Sequence, residues 1–475
     1  MAISNKLRIY EINTRIFCDK FDDITPKQLS SIADLGFDAI WLMGAWTIGE
    51  GATQISKTIS SAFEGSPYAI TDYELSPKLG GLDSYKTLRN RAREAGLKVL
   101  LDFIPNHMGL DSRWIAPHPE FFIESDPEVR NQDPGEYFLH PSGQVVAHGR
   151  DPNFPPWYDT AQLDYSSPAL RARQIENLHF ISTLADGVRC DMAMMVLRDH
   201  VREQWYPHAS QQFFDQRMPG EFWGEAINSV RRAAPDFIFL AEAYWGKEPQ
   251  LCHLGFDLTY EKELYDALVA RSDLRVFDRL KLPTQDLKSS LFFLENHDEA
   301  RAAAVFSPSE NVAAMTLLLA LPGSVLLHQG QIQGLTEKQP IQLTCPVREE
   351  VPNKELEQDY GAILRATSDA VFKEGIFAPF TSRAQNIVSF ARHGPSSRAA
   401  YFGQIGGTTG QFANTLLDIG PLWQISRATN ALKLIDLVGK NSLIITPDHG
   451  AVRFVPSALG VRGDSRFCLV RFEPA

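Results

Sequence analysis

Apolar segments of strand length alternate along the chain with amphipathic segments of helical length, and this alternation most constrains the fold. The strand-like segment "FDAIWLMG" (37–44) is followed by the helical pattern "GLDSYKTLRNRAREAG" (81–96), which leads into "LKVLLDFIPNH" (97–107). Parallel strands need crossover connections, usually helices, so this order is typical of a parallel sheet. About eight such units precede residue 375, which predicts an α/β fold, a closed (β/α)8 TIM barrel, rather than an open sheet.

Two regions interrupt this alternation. Residues 107–165 are a long polar, proline-rich segment between two barrel units. Over residues 376–475, short strand-like runs such as "NIVSFARHG" and "FCLVRFEP" are divided by Gly, Pro and Asn. This pattern predicts a C-terminal antiparallel β-sandwich. Residues 1–106 and 166–375 are assigned to the barrel.

The charge and the cysteine pattern restrict the classes of partner and compartment. The formal net charge is −12 and no basic block occurs, which argues against nucleic acid or an anionic membrane as a partner. The first residues lack the apolar core of a signal peptide, and no apolar run approaches the roughly 20 residues of a membrane span. The five cysteines are scattered without paired spacing, which is typical of reduced thiols. We expect a cytoplasmic protein, and the oligomeric state stays open.

Four acidic residues stand where apolar strand-like runs end. They are Asp102 in "VLLDFIPNH", Asp191 in "GVRCD", Glu242 in "FIFLAE" and Asp298 in "LFFLENHD". In a barrel of this kind the carboxyl ends of all strands meet at one face, so we expect the four side chains to lie together. Acids placed at one mouth repel one another and raise at least one pKa, which favours a functional interpretation over four structural ion pairs.

A cluster of carboxylates with one arginine fits glycoside hydrolysis. A retaining enzyme needs an ionised nucleophile and a protonated general acid, with the two carboxyl groups about 5 Å apart. Burial and neighbouring carboxylates separate the two pKa values, so the acid can keep its proton near neutral pH. Arg189 stands two residues before Asp191 and therefore on the same side of the strand. We expect its guanidinium to orient that carboxylate and keep it ionised.

The segments "DFIPNH", "GVRCD", "AEAYW" and "ENHDEAR" resemble, in order and spacing, the four short motifs of the α-amylase family of retaining α-glycoside hydrolases and transglycosidases. The resemblance runs from "IYEINTRIF" to the C-terminal region and implies the barrel, a small inserted domain after the third strand (residues 107–165) and the sandwich. It implies that Asp191 is the nucleophile, Glu242 the general acid/base and Asp298 the transition-state stabiliser. The substrate-binding residues that it implies are Tyr68, Asp102, His107, Arg189, His297 and Arg301, with Asp102 ranked below the catalytic triad.

The chain also departs from the family pattern. Met194 and Met195 stand where many starch-cleaving members have Lys and His. Two thioethers would form an adaptable apolar wall on the leaving-group side, which argues against a starch-type glucan, although packing inside the barrel is an equal alternative. Ala69 follows Tyr68 where chain-end-cutting glucosidases often have Asp. We expect the substrate to be a small α-glucoside: a disaccharide, a compatible-solute glucoside or a short maltooligosaccharide.

Several alternatives stay open on the sequence alone. Capture of the glycosyl-enzyme by water, by a sugar or by phosphate would make the protein a hydrolase, a transglycosidase or a phosphorylase. A catalytically inactive sugar-binding or partner protein is a second class. A metal hydrolase is a third, although no His pair has the usual ligand spacing. No metal site and no required cofactor are expected. The resemblance allows a structural calcium beside Asn106, whose other ligands the sequence does not identify.

Overall fold

Eight parallel strands close into a barrel in the computed structural model, which describes residues 6–380, 386–407 and 411–475. The strands are β1 (Arg8–Asn13), β2 (Ala39–Met43), β3 (Lys98–Phe103), β4 (Gly187–Cys190), β5 (Ile238–Ala241), β6 (Leu258–Tyr260), β7 (Ser290–Phe292) and β8 (Ser324–His328). Each strand pairs with its neighbours in chain order, and β1 pairs with β8 to close the ring. The predicted (β/α)8 barrel is therefore confirmed.

Helices connect these strands and pack around the barrel. The helices of this outer layer are Pro26–Asp34, Gly81–Glu94, Pro168–Leu184, Phe222–Ala233, Glu248–Leu254, Lys262–Val269, Asp273–Leu280, Thr284–Ser289, Pro308–Ala320 and Lys354–Ala366. The first begins at a capping box, in which the Gln28 backbone N–H donates to the Thr25 hydroxyl and the Thr25 backbone N–H donates to the Gln28 side chain. The same helix buries Leu29 and Ile32 against the barrel core.

The long connection after β3 contains short antiparallel strands. His107–Gly109 pairs with Thr160–Gln162, and Val145–Ala147 lies between Glu124–Ser125 and Tyr137–Leu139 in a three-stranded sheet. The first pairing starts directly beyond the carboxyl end of β3, so it places the side chains of His107 and its neighbours at the mouth of the barrel. A separate inserted domain with limits at residues 107 and 165 stays a prediction.

The C-terminal region is an antiparallel sheet of six strands. In chain order they are β9 (Ile376–Pro379), β10 (Val388–His393), β11 (Arg398–Gly403), β12 (Leu432–Asp436), β13 (Ser442–Ile445) and β14 (Phe467–Pro474), and the order across the sheet is β9-β10-β11-β14-β12-β13. The hydroxyl of Tyr401 donates to the carbonyl of Ala313 at 3.2 Å, which joins the sheet to the helix Pro308–Ala320. An antiparallel C-terminal region is therefore confirmed.

The second layer of the predicted sandwich is smaller than a full sheet. A two-stranded ribbon (Leu417–Asp418 with Arg453–Phe454) and the short helix Gly420–Ser426 contribute to a separate apolar core with residues of the six-stranded sheet. Among the residues that the structure describes, no helix is long and apolar enough to cross a membrane. All five cysteines are free thiols, and Cys190 and Cys468 are buried.

Candidate active site

The acidic residues predicted from strand ends meet at one face of the barrel. Asp191 directly follows β4, Glu242 directly follows β5, and Asp298 lies six residues beyond the end of β7. All three side chains line a cavity of about 950 Å³, together with Tyr68 and His107. Parallel strands of a closed barrel deliver their C-terminal ends to one mouth, so residues far apart in the chain converge there.

Arg189 joins two of these carboxylates. It points into the barrel from β4 and is fully buried. Its Nη1 lies 2.7 Å from Oδ1 of Asp191, and its Nη2 lies 2.7 Å from Oε2 of Glu242. One rigid guanidinium therefore contacts both carboxylates.

Aromatic rings enclose the same guanidinium. Its central carbon lies 5.0 Å from the ring centroid of Trp41, 5.3 Å from that of Tyr68 and 5.8 Å from that of Tyr260. Its Nε also donates to the Tyr260 hydroxyl at 3.3 Å. Burial alone would lower the pKa of Arg189, but the surrounding negative charge, that of Glu242 above all, raises it further above its usual value. The guanidinium of Arg189 therefore stays protonated.

Glu242 is buried among donors and has a raised pKa. Its Oε2 accepts from the backbone N–H of Met192 at 2.7 Å, and its Oε1 accepts from the Tyr244 hydroxyl at 2.8 Å. Burial raises the pKa of Glu242 to about 7, Arg189 opposes this rise, and the charge of Asp191 adds to it. At neutral pH the protonated form of Glu242 is therefore well populated, as a general acid requires.

His297 connects Asp298 to a buried carboxylate on β1. Its Nε2 lies 3.0 Å from Oδ2 of Asp298 and 2.7 Å from the Tyr68 hydroxyl, while its Nδ1 lies 2.5 Å from Oε1 of Glu11. Burial opposes protonation of this ring, but Asp298 and Glu11 outweigh it and raise the pKa of His297 well above its usual value. Desolvation favours neutral Asp298, but the imidazolium outweighs it and lowers the pKa of Asp298. Asp298 therefore stays ionised beside the cavity.

Asp102 and His107 occupy different positions relative to the cavity. Asp102 is buried behind the cavity wall, where it accepts from Trp41 Nε1 at 3.1 Å and from the Gly44 backbone N–H at 3.3 Å. Burial raises its pKa to about 7. His107 lines the cavity, and burial lowers its pKa to about 3, so the ring is neutral.

Arg301 does not reach the cavity. Its Nη1 lies 3.0 Å from Oε1 of Glu295, and its Nη2 donates to the carbonyl of Gln329 at 3.0 Å. The side chain is almost completely buried and is not among the residues lining the cavity. The structure thus gives Arg301 a supporting position, whereas the sequence had predicted a contact with the sugar.

Comparison with known proteins places this geometry in a family. Residues 21–374, about three quarters of the chain, match the family model described as "Alpha amylase, catalytic domain". The chain belongs to the α-amylase family. The chain is 22% identical over 363 residues to Alpha-amylase 3 of Dictyoglomus thermophilum, covering 70% of this chain and 64% of that protein. It is also 22% identical to Maltase A1 of Drosophila melanogaster, covering 69% of this chain and 65% of that protein.

Solved structures of α-amylase family members share the fold. A maltogenic α-amylase of Thermotoga neapolitana superposes with a TM-score of 0.75 at 20% identity, covering 99% of both chains. A trehalose-6-phosphate hydrolase of Bacillus licheniformis superposes with a TM-score of 0.70 at 14% identity, covering 100% of both chains. At these identities the likeness concerns the fold alone. The match spans less than two thirds of the length of the curated relatives named above.

The two methionines that distinguish this member of the family do not form a cavity wall. Met194 and Met195 are buried in the core, because the one-turn 3-10 helix Ala193–Val196 directs them away from the mouth. The indole N–H of Trp223 donates to the carbonyl of Ala193 at 2.8 Å and fixes this turn. The prediction of a thioether wall at these positions is wrong, and the packing alternative is right. Met192 lines the cavity instead.

Several residues of the site were not identified from the sequence. They are Glu11, Trp41, Tyr244 and Tyr260, which contact Arg189, Asp102, Glu242 or His297. Glu11 could have been found from the sequence, because it is an acidic residue within a strand that is buried at every position. A fully buried acid needs partners, and its two partners are His297 and His328.

The position beside Asn106 does not fit a structural calcium. The Oδ1 of Asn106, the atom that would bind the ion, accepts from Nε2 of Gln162 at 3.0 Å, and its Nδ2 donates to Oε1 of Gln162 at 3.3 Å. Gln162 brings no negative charge. In the part of the chain that the structure describes, no group of three or more His, Cys, Asp or Glu side chains is arranged to hold a metal.

We therefore expect chelation to leave the protein unchanged. Dialysis against EDTA should shift the unfolding temperature by less than about 1 °C and retain full activity, because the Asn106–Gln162 amide pair already occupies the position. As a control, Gln162→Leu should cost about 1–3 kcal/mol by leaving buried amide groups unpaired, and added calcium should not restore that loss. A large fall in unfolding temperature with EDTA that calcium reverses would contradict this assignment.

Proposed function

We propose that this protein is a retaining α-glycoside hydrolase that acts on a small α-glucoside. Asp191 is the nucleophile, Glu242 the general acid/base and Asp298 the transition-state stabiliser. The observation that carries the proposal is the bridge of Arg189, whose two terminal nitrogens each lie 2.7 Å from one of the first two carboxylates. Double displacement needs an ionised and a protonated carboxyl group close together, and the shared contact with Arg189 brings these two side chains together.

In the first step the Asp191 carboxylate attacks the anomeric carbon of the sugar. The bond from that carbon to the glycosidic oxygen breaks, and Glu242 transfers its proton to that oxygen, so the leaving group departs as an alcohol. Burial raises the pKa of Asp191, and the charge and hydrogen bond of Arg189 oppose that rise and so favour the ionised form that this attack needs. The product of the step is a covalent glycosyl-aspartate with inverted configuration at the anomeric carbon.

In the second step Glu242, now a carboxylate, takes a proton from water, and the hydroxide attacks the anomeric carbon. The ester bond to Asp191 breaks and the α configuration is restored. Positive charge develops on the sugar in both steps. Asp298 faces this charge as a carboxylate, and the protonated His297 that holds it is fixed in turn by Glu11. Tyr68 and His107 line the cavity beside the same sugar position.

The names of relatives support a small substrate. They include Maltase A1 of Drosophila melanogaster and an Alpha-glucosidase of Culex pipiens. Transfer to a second sugar is the alternative for the same triad, since the relatives also include Trehalose synthase/amylase TreS of Mycolicibacterium smegmatis. A purely sugar-binding role is disfavoured, because both carboxyl groups of the proposed displacement are present and line the same cavity. We propose a cytoplasmic location, in keeping with the free thiols.

The substrate is tested with a panel of maltose, trehalose, sucrose, glucosylglycerol, maltoheptaose and soluble starch, analysed by chromatography and anomeric NMR. We expect release of α-configured glucose from a small member, with starch turned over more slowly, and no product with the Asp191→Asn protein. A rearranged disaccharide would favour the transglycosidase alternative. Starch turnover equal to that of the small glucosides would contradict the proposed substrate class.

The pH profile gives a further prediction. Catalysis needs protonated Glu242, whose pKa is raised to about 7, so kcat/KM should fall about tenfold per pH unit above pH 7 for an alkyl glucoside. The fall should disappear with α-glucosyl fluoride, because fluoride leaves without a proton. This second substrate separates Glu242 from Asp102, whose pKa also lies at about 7. An alkaline limb that is identical for both substrates would contradict the assignment of Glu242 as the acid.

A further inference from the structure

The half of the cavity next to Glu242 receives the leaving group. A general acid must stand beside the oxygen that departs, so the residues around Glu242 contact the leaving group and any acceptor that replaces it. Met192 and Tyr244 bond to Glu242, and Trp245 follows them in the cavity wall. The segment after β6 lies beside them, because β6 pairs with β5. We call this region the acceptor half; its members are Met192, Tyr244, Trp245, Glu248, Lys262, Glu263, Asp266 and Glu299.

One wall of the cavity is unusually apolar. Of the five aromatic side chains that are strongly exposed within the described ranges, three line this cavity: Phe154 is 68% exposed, Tyr158 52% and Trp245 45%. Exposed aromatic rings concentrated in one concave site are typical of a ligand surface. One face of the Trp245 ring is covered by His200, stacked at 6.1 Å, which leaves the other face for a ligand.

The backbone holds two apolar members of the acceptor half, Met192 and Trp245, in an unfavourable conformation. Met192 has φ 43° and Trp245 has φ 61°, in the left-handed region that side-chain-bearing residues seldom adopt. Such conformations persist where the surroundings enforce them, commonly at functional sites. At Met192 the strained backbone directs its N–H to Glu242. The apolar wall and the proton donor are therefore parts of one arrangement.

The rest of the acceptor half is acidic. It presents Glu248, Glu263, Asp266 and Glu299, and Lys262 is the sole Lys or Arg among the described residues that line the cavity. The charge of Lys262 is already compensated, since its Nζ lies 2.5 Å from Asp266 and 3.5 Å from Glu299. The pKa of Glu248 is raised by burial and by the nearby charges of Glu261 and Glu263. An anion entering this half would meet net negative charge with no free cation.

Resting on the function proposed above, we infer that the acceptor half admits only an uncharged leaving group or acceptor with an apolar face, and rejects phosphate and phosphorylated sugars. Phosphate recognition relies on Arg or Lys side chains with unpaired donors. The acceptor half instead presents acidic side chains, and its single lysine, Lys262, is already paired with Asp266 and Glu299. The glycosyl-aspartate is therefore released to hydroxyl nucleophiles, whose proton passes to Glu242, and not to phosphate. The possible reactions are thereby narrowed to hydrolysis and transfer between neutral sugars.

The test compares two aryl α-glucosides that differ only in charge. One carries a carboxylate joined to the aryl ring through two methylene groups, and the other carries the methyl ester of that carboxylate, so the acidity of the leaving phenol is nearly the same for both. We expect kcat/KM to be at least tenfold higher for the ester than for the carboxylate. This gap between the two kcat/KM values should narrow at high salt, because salt screens the repulsion between the carboxylate and the acidic residues of the acceptor half. The gap should also narrow in the Glu263→Gln/Glu299→Gln protein. The control is Asp83→Asn, which removes a fully exposed carboxylate outside the cavity and should leave both rates and the gap unchanged.

Binding is measured in parallel by calorimetry with the Asp191→Asn protein, so the inference is tested even if neither glucoside is turned over. Weaker binding of the carboxylate than of the ester supports the inference. Equal or tighter binding of the carboxylate overturns it, as does formation of glucose 1-phosphate when phosphate is added to the wild-type reaction. Absence of turnover together with selective binding of the ester would overturn the proposed function and leave the charge selectivity standing.

Discussion

Replacing Asp191 by Asn is expected to lower kcat/KM for the preferred small α-glucoside by about 10⁴-fold or more, because removal of a nucleophile leaves only binding and electrostatic contributions. The substitution preserves the shape of the side chain, and its amide oxygen can still accept from Nη1 of Arg189. We therefore expect the unfolding temperature to change little while the covalent step is lost. The measurement is steady-state kinetics alongside thermal unfolding of both proteins.

A matched control is Asp159→Asn. Asp159 lines the same cavity but makes no hydrogen bond to Asp191, Glu242 or Asp298. We expect its loss to cost less than about tenfold, in the range of a binding contact. If the Asp191→Asn protein kept more than a tenth of the wild-type activity, the assignment of Asp191 as the nucleophile would be contradicted.

The second large effect is expected at Arg189. Arg189→Lys keeps a positive charge but replaces a two-nitrogen fork with a point charge that cannot hold Asp191 and Glu242 at once. We expect kcat/KM to fall by about 10²–10³-fold, the usual cost of one preorganised charge-assisted contact in an active site. Arg189→Met should in addition destabilise the fold by about 3–5 kcal/mol, because buried carboxylates lose their cation.

The destabilisation of Arg189→Met should depend on pH with a definite sign. Without the guanidinium, the folded-state pKa values of Asp191 and Glu242 rise further above their unfolded values, so folding takes up protons. The loss of unfolding free energy is therefore largest at and above neutral pH and shrinks as pH falls towards 5. Urea unfolding at several pH values measures this. Arg113→Lys, at an exposed ion pair with Glu74, should change stability by less than about 1 kcal/mol at every pH.

The barrel, and the meeting of Asp191, Glu242 and Asp298 at its mouth, could be predicted from the sequence because both follow from local patterns. Strand-length apolar runs between helical patterns specify parallel pairing, and the acids that follow β4, β5 and β7 are delivered to one mouth whatever the loops do. The Arg189–Asp191 contact follows from their spacing on one strand. These features can be predicted without knowing which residues distant in sequence contact one another.

The remaining features depend on partners or turns that the local sequence does not specify. Glu11 finds His297 at a separation of 286 residues, so its role emerges only when β1 and β7 are brought together. The prediction that Met194 and Met195 form a wall of the cavity was wrong because the two residues lie in a 3-10 turn and not in an extended strand. Arg301 was placed at the sugar by resemblance, yet Glu295 holds it elsewhere. In the C-terminal region, strand-like runs indicated the sheet but not the small size of its second layer.

Trapping of the covalent intermediate tests the central claim most directly. The Glu242→Gln protein is mixed with α-glucosyl fluoride, whose departure needs no acid, so the first step proceeds while the second is slowed by loss of the base. Mass spectrometry of the intact protein should show the addition of one glucosyl unit, and peptide mapping should place it on Asp191. Turnover of the fluoride without an adduct and with release of β-glucose, or an adduct on a different carboxylate, would contradict the account.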